Sequence, residues 1–345
     1  MNKHRIAING FGRIGRMVFR KAIMDSSIDV VAINASYPAE TLAHLIKYDS
    51  IHGRLDADVK ALQNGIEVDG HFVQLVSNRN PEQLPWDELQ VDIVIEATGK
   101  FKTTDTASAH IDAGAKKVII TAPGKGKVDG TFVVGVNEEQ YDPEKHHVIS
   151  NASCTTNCLA PVVKVLDEHF GIINGMMTTV HAFTNDQNNI DNPHKDLRRA
   201  RSCTQSIIPT STGAAKAIGE VLPEMNGKLH GMALRVPTPN VSLVDLVVDV
   251  NAEVTLDDIN EAFKQEANNR LNGILAYSDE PLVSIDYTTT EYSSIVDGLS
   301  TIVLEDKKVK VLAWYDNEWG YSCRVVDLAK LVGSKLEQKT AHTVS

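Results

Sequence analysis

The chain of 345 residues has only four cysteines, with no Cys-x-x-Cys pair and no zinc-ligand spacing. That excludes a disulfide framework and a zinc module, predicts no metal site, and fits a reducing, cytoplasmic setting. Positive charge is also scarce. Against 45 Asp plus Glu stand 34 Lys plus Arg, a net charge of −11 at pH 7. Such a chain is poorly suited to hold nucleic acid or an anionic membrane through its overall field. Long apolar runs are missing too. The longest stretch without Asp, Glu, Lys or Arg, from His146 to Val163, contains Asn, Ser, Thr and Pro, so it does not read as a membrane span. The opening MNKHRIAINGFG passes into a strand and a glycine loop too soon for a signal peptide. There is no internal repeat and no low-complexity linker.

What remains is a globular composition, 42% hydrophobic and 23% charged, with length for two domains. Short β-branched runs at Arg5–Asn9, Asp29–Asn34, Val91–Ala97 and Lys117–Thr121 alternate with helix-like segments. Ile14, Val18 and Ala22 mark one helical face. This alternation predicts an α/β domain with a doubly wound parallel sheet over residues 1–153. Longer strand candidates follow at Met176–Phe183, Val241–Val250 and Ser300–Trp314, predicting an α+β domain with a mostly antiparallel sheet over residues 154–317. Thr255 is placed to cap a helix, with Asp257 and Asp258 in its first turn. Residues 318–345 read as a helix through Leu331 that packs back on the first domain, with a polar, frayed tail from Glu337 to Ser345.

Asn9-Gly10-Phe11-Gly12-Arg13-Ile14-Gly15 carries Gly-x-Gly-x-x-Gly between a strand and a helix. Gly10 allows the tight turn, Gly12 a close approach of backbone to pyrophosphate, and Gly15 close packing of helix on strand. A plain glycine-rich turn without ligand is the alternative. The second strand ends in Asn34-Ala35-Ser36-Tyr37-Pro38, without the acid that ordinarily holds the adenosine ribose; the first acid is Glu40. Nothing there repels a 2′-phosphate, so NADP is preferred over a weaker NAD, yet no Arg or Lys follows before Lys47. An NAD site tolerating both cofactors is the alternative.

Ser150-Asn151-Ala152-Ser153-Cys154-Thr155-Thr156-Asn157-Cys158 predicts a helix capped by Ser153, with Cys154 in the first turn, where the positive helix end favours thiolate. Pro161 predicts a kink. Cys158, Cys203 and Cys323 read as packing residues. His181 shares a strand face with Met177, Thr179 and Phe183; beside Cys154 it is an activating base, and otherwise a satisfied core histidine. Arg198, Arg199 and Arg201, the Pro209–Lys216 turn, and Arg235 are candidate anion-binding features in an acidic chain, or else surface ion pairs.

The chain resembles the phosphorylating D-glyceraldehyde-3-phosphate dehydrogenases over essentially its whole length. The matching stretches are INGFGRIGR, LAHLIKYDSIHGRL, SNASCTTNCLAP, SIIPTSTGAAKA, RVPTPNVSLVDL and WYDNEWGYS, in the family's order and spacing. The resemblance implies a homotetramer of Rossmann and catalytic domains, with Cys154 as nucleophile and His181 as base. It implies that Ser153, Thr155, Arg199, Thr212 and Gly213 serve inorganic phosphate, and Thr184 and Arg235 the substrate phosphate. It implies that Asn317 holds the nicotinamide amide and that Arg13, Ile14, Arg79 and Thr121 contact the cofactor. The NAD-specific glycolytic members have Asp where this chain has Ala35, and commonly Leu-Pro where it has Asn192-Pro193. The chain thus looks similar to NADP-linked bacterial members that run in the gluconeogenic direction, reducing 1,3-bisphosphoglycerate. Erythrose-4-phosphate dehydrogenases are close relatives that normally lack the Ser211–Lys216 stretch. A nucleotide- or RNA-binding regulator on the same fold is the reading of another class.

Overall fold

The computed structural model describes residues 3–343, and the side chains of residues 3–337. Two compact units are present: Met1–Phe132 with Glu138–Ala152 and Ser322–Ser345, and Val133–Asn137 with Ser153–Tyr321.

The first unit is built on a nine-stranded sheet. Its order is Gly130–Thr131, Val148–Ser150, Lys117–Ile120, Ile93–Glu96, His4–Asn9, Ile28–Asn34, His71–Val76, Gly65–Val68 and Val59–Leu62. Seven of these strands run parallel, and the last two add antiparallel to the edge. Strands Ile93–Glu96 and Lys117–Ile120 are buried at every position, as expected of a parallel sheet covered on both faces. The helix after the glycine loop, Arg13–Ala22, buries Met17, Val18, Phe19 and Ala22. The doubly wound expectation is borne out.

The second unit holds a seven-stranded sheet ordered Ile208–Ser211, Leu229–Val236, Ile172–Ala182, Ser242–Val250, Lys308–Tyr315, Ser294–Leu304 and Leu275–Ser278. Four of its six pairings are antiparallel, so the mostly antiparallel expectation holds. Strand Ser242–Val250 alternates strictly between buried and half-buried residues, so one face is core and the other is not. Helix Leu256–Asn268 starts at a capping box in which Thr255 and Asp258 each accept the other's backbone N–H.

Two expectations need correction. Ser300–Trp314 is not one strand but parts of two, Ser294–Leu304 and Lys308–Tyr315. Glu305 and Asp306 lie between them at φ 51° and 54°, the left-handed pair that turns a tight hairpin. The last helix does not stop at Leu331 but runs Trp319–Thr343, through the segment expected to fray; Val344 and Ser345, the end of that tail, lie outside the described residues. Among the described residues no helix is long and apolar enough to cross a membrane.

Candidate active site

Strand Val148–Ser150 leads through Ala152, at φ 55°, into helix Cys154–Phe170. The left-handed region costs a non-glycine residue roughly 1 kcal/mol or more, so this turn is held by its surroundings. Ser153 caps the helix, its Oγ accepting from Thr156 N–H at 2.9 Å. Cys154 is therefore the first helical residue, as the sequence predicts. The helix runs unbroken through Pro161, so the expected kink does not interrupt it.

His181 lies near the end of strand Ile172–Ala182, with Nε2 3.5 Å from Cys154 Sγ. The Tyr315 ring stands edge-on to the imidazole, centroids 6.0 Å apart. The Tyr315 hydroxyl lies 2.9 Å from the hydroxyls of both Thr155 and Thr179, joining the cysteine helix to the histidine strand. Sequence reading missed Tyr315. Only the alternating burial of its strand hints that it faces inward.

Arg235 is the register partner of His181 on the neighbouring parallel strand. Its Nη1 donates to the Ala182 carbonyl at 2.9 Å and lies 2.5 Å from His181 Nδ1. The same carbonyl lies 2.7 Å from Nδ1. The tautomer that leaves Nε2 a lone pair for the thiol proton carries its hydrogen on Nδ1, and Ala182 accepts it. Burial, and secondarily the Arg235 charge, push the His181 imidazole down to about 3. Burial pushes the Cys154 thiol up, outweighing Arg235 and the N–H groups of the helix end. The helix terminus does act on the thiol in the direction the sequence predicts, but desolvation wins. Both shifts favour the neutral pair, thiol and imidazole, over the ion pair. Cys158 is pushed by burial to about 12, consistent with an inert packing role.

The remaining anion candidates of this unit stand as follows. Arg199 Nε donates to Thr210 Oγ1 at 2.9 Å, and Nη1 pairs with Asp186 at 2.9 Å. Thr184 donates to Gln187 Oε1 from both N–H and hydroxyl. Helix Ala214–Val221 begins after Thr212 and Gly213; Gly213 gives it no side-chain cap, and the Ala214 N–H donates to Thr212 Oγ1 at 3.2 Å. Arg199, Thr184, Thr212 and Gly213 make no hydrogen bond to Cys154, His181 or Arg235. Burial lowers the basicity of Arg235 first, and the Arg199 charge adds to this. Arg235 Nε is buried without a partner among the described residues, as a group awaiting an anionic ligand would be.

In the first unit, Gly10 has φ 92°, and a Cβ there would meet Thr98 N at 2.7 Å. A Cβ on Gly15 would meet the Gly10 carbonyl oxygen at 2.2 Å. Gly12 differs: it faces open space and offers helix Arg13–Ala22 no side-chain cap. An uncapped helix N-terminus beside open space fits a dinucleotide pyrophosphate. Arg13 pairs with Asp49, whose carboxyl is held well below its usual range against the opposing effect of burial. Ile14 is half-buried on the same helix. Thr121 ties its N–H and hydroxyl to the Glu96 carbonyl.

At the strand tip, Ala35 N–H donates to the Val76 carbonyl, and Asn34 pairs in register with Val76. The neighbouring strand ends at Val76, and exposed Arg79 lies three residues further along the chain.

Residues 4–104 match the family described as the NAD binding domain of glyceraldehyde 3-phosphate dehydrogenase, and residues 153–317 match its C-terminal domain. The chain is 67% identical over 339 residues to glyceraldehyde-3-phosphate dehydrogenase 2 of Bacillus subtilis (strain 168), covering 98% of this chain and 99% of that protein. It is 61% identical over 340 residues to the protein of the same name from Staphylococcus aureus (strain MRSA252), covering 99% of each. A similar protein in Staphylococcus epidermidis is 61% identical over 334 residues, 97% of each chain. Full-length similarity at this level, together with matches to both domains, means that the chain belongs to the glyceraldehyde-3-phosphate dehydrogenase family and is a phosphorylating enzyme of that family.

Proposed function

We propose that the chain interconverts D-glyceraldehyde 3-phosphate with inorganic phosphate and 1,3-bisphosphoglycerate through a thioester on Cys154, with NADP(H) preferred and in the gluconeogenic direction, in the cytoplasm. The observation that carries the chemistry is the 3.5 Å approach of His181 Nε2 to Cys154 Sγ, with Arg235 against the imidazole. In the oxidative direction Sγ adds to the aldehyde carbon, and the thiol proton passes through His181 to the new hydroxyl of the hemithioacetal. His181 takes that hydroxyl proton back as hydride leaves the carbon, giving the thioester. When bound, the nicotinamide supplies the hydride acceptor. A phosphate oxygen then attacks the thioester carbonyl, and Cys154 leaves as thiolate. Arg235 and Thr184 serve the substrate phosphate; Ser153, Thr155, Arg199, Thr212 and Gly213 serve the attacking phosphate. Gly10, Gly12, Arg13, Ile14, Gly15, Thr121 and Asn317 serve the cofactor.

Three observations support NADP. Ala35 leaves the strand tip without a carboxylate, Ser36 adds a hydroxyl, and Arg79 is exposed on the segment that follows the paired strand His71–Val76. An exposed apolar face supports the reading of a homotetramer. The sheet of the second unit buries the face bearing Met177, Thr179 and His181. Its other face leaves Met176 74% exposed, along with Met232, Ile302 and Leu304.

Ala35→Asp tests the cofactor reading. The new carboxylate lowers kcat/KM for NADP by about tenfold or more through charge repulsion and raises it for NAD by a ribose hydrogen bond. Steady-state rates with both cofactors, glyceraldehyde 3-phosphate and inorganic phosphate check it. A wild-type preference for NAD sinks the NADP reading and the case for direction, while leaving the dehydrogenase.

A further inference from the structure

Asn317 follows Asp316, whose buried carboxylate accepts four donors: Asn240 Nδ2 at 2.8 Å, Thr289 N–H at 2.7 Å, Glu318 N–H at 2.9 Å and Trp319 N–H at 2.8 Å. This fixes the Asn317 backbone. The side chain is fixed from another strand. Ser242, itself 1% exposed, accepts the Ala182 N–H at 3.0 Å and donates its hydroxyl to Asn317 Oδ1 at 2.8 Å. A backbone N–H can only donate, so the serine hydrogen is committed elsewhere, and Asn317 Oδ1 is the acceptor it meets. Turning the amide over would leave that buried hydroxyl without an acceptor. Asn317 Nδ2 makes no hydrogen bond among the described residues and is left to donate outward. Ala182 in turn offers its carbonyl to His181 and Arg235. One residue thus anchors both the amide and the base.

We infer that Ser242 is a positioning residue for the nicotinamide. It holds the Asn317 amide with nitrogen outward, toward the carboxamide oxygen of the cofactor, and ties that amide to the strand end bearing His181. The inference rests on the reading that Asn317 holds the nicotinamide. A carboxamide can be met by either end of an amide, because it both accepts through oxygen and donates through nitrogen. A 3-acetylpyridine ring only accepts. An amide locked nitrogen-outward binds both; an amide free to turn meets the carboxamide with either end but the acetyl group in only one of its two orientations.

The test is equilibrium binding of NADP and its 3-acetylpyridine analogue, read as dissociation constants by protein fluorescence. Wild type binds the two within a few-fold of each other. In Ser242→Ala the analogue weakens by about tenfold, the worth of one buried hydrogen bond, while NADP weakens several-fold less. Ser242→Thr, which keeps the hydroxyl, restores the wild-type ratio. Ser242→Cys, with the same shape and a weaker donor, lies between and serves if Ser242→Ala fails to fold. Equal weakening of both ligands, or of neither, in the Ala and Cys variants overturns the positioning role. Asn317→Ala separates the premises. If it leaves both constants unchanged, the nicotinamide reading of Asn317 falls and the inference with it. If it weakens binding while the Ser242 variants keep the wild-type ratio, only the inference falls.

Discussion

Cys154→Ser lowers kcat by at least about a thousandfold while leaving fold and cofactor binding intact. Serine fits the same first helical position and has nearly the same shape, so Ser153 still caps the helix at 2.9 Å. What is lost is nucleophilicity, because a hydroxyl ionises far less readily than a thiol and His181 is a weak base for it. The assay is phosphate-dependent reduction of NADP by glyceraldehyde 3-phosphate, beside a thermal unfolding curve. A variant that keeps a tenth of wild-type kcat refutes the nucleophile assignment.

His181→Asn lowers kcat/KM by about a hundredfold to ten-thousandfold and changes the shape of its pH profile. In the free wild-type protein the imidazole, pushed down to about 3, is neutral through the working range. The thiol, pushed up, stays protonated there. Base and nucleophile are therefore both in their competent forms on a plateau spanning roughly pH 5 to 8. The acid limb lies near the lowered histidine value, and ionisation of the thiol brings no falling limb, because it yields the nucleophile itself. Without the imidazole, reaction waits on the small fraction of thiolate, so the variant's rate rises about tenfold per pH unit across the same interval. A variant profile as flat as wild type would show that no base at this position takes the thiol proton.

Much of this was legible in the sequence because the requirements were local. Gly10 and Gly15 lie where any Cβ would strike backbone, and a strand followed by such glycines reads as a phosphate turn. Ser153 and Thr255 announce helix starts through their own short side chains. What was not legible depends on residues far apart in the chain. Nothing near Tyr315 signals its bonds to Thr155 and Thr179, 160 and 136 positions away. Nothing near Ser242 signals Asn317. Nothing along the chain shows that strand His71–Val76, which ends three residues before Arg79, pairs with the strand ending at Asn34. The Ser300–Trp314 segment misled for a different reason: Glu305 and Asp306 adopt left-handed backbone without the glycine or asparagine that usually marks such a turn. The net shift of Cys154 was not legible, because a helix end is visible in sequence and the desolvation that opposes it is not.

The most direct test of a phosphorylating enzyme working through Cys154 is a rapid-mixing experiment. Protein, NADP and glyceraldehyde 3-phosphate are combined without phosphate, and NADPH is read by absorbance. A single burst stoichiometric with protein is expected, with the acyl group found on Cys154 by mass spectrometry and sustained turnover only when phosphate is added. Undiminished steady turnover without phosphate, or an acyl group on any other residue, contradicts the account.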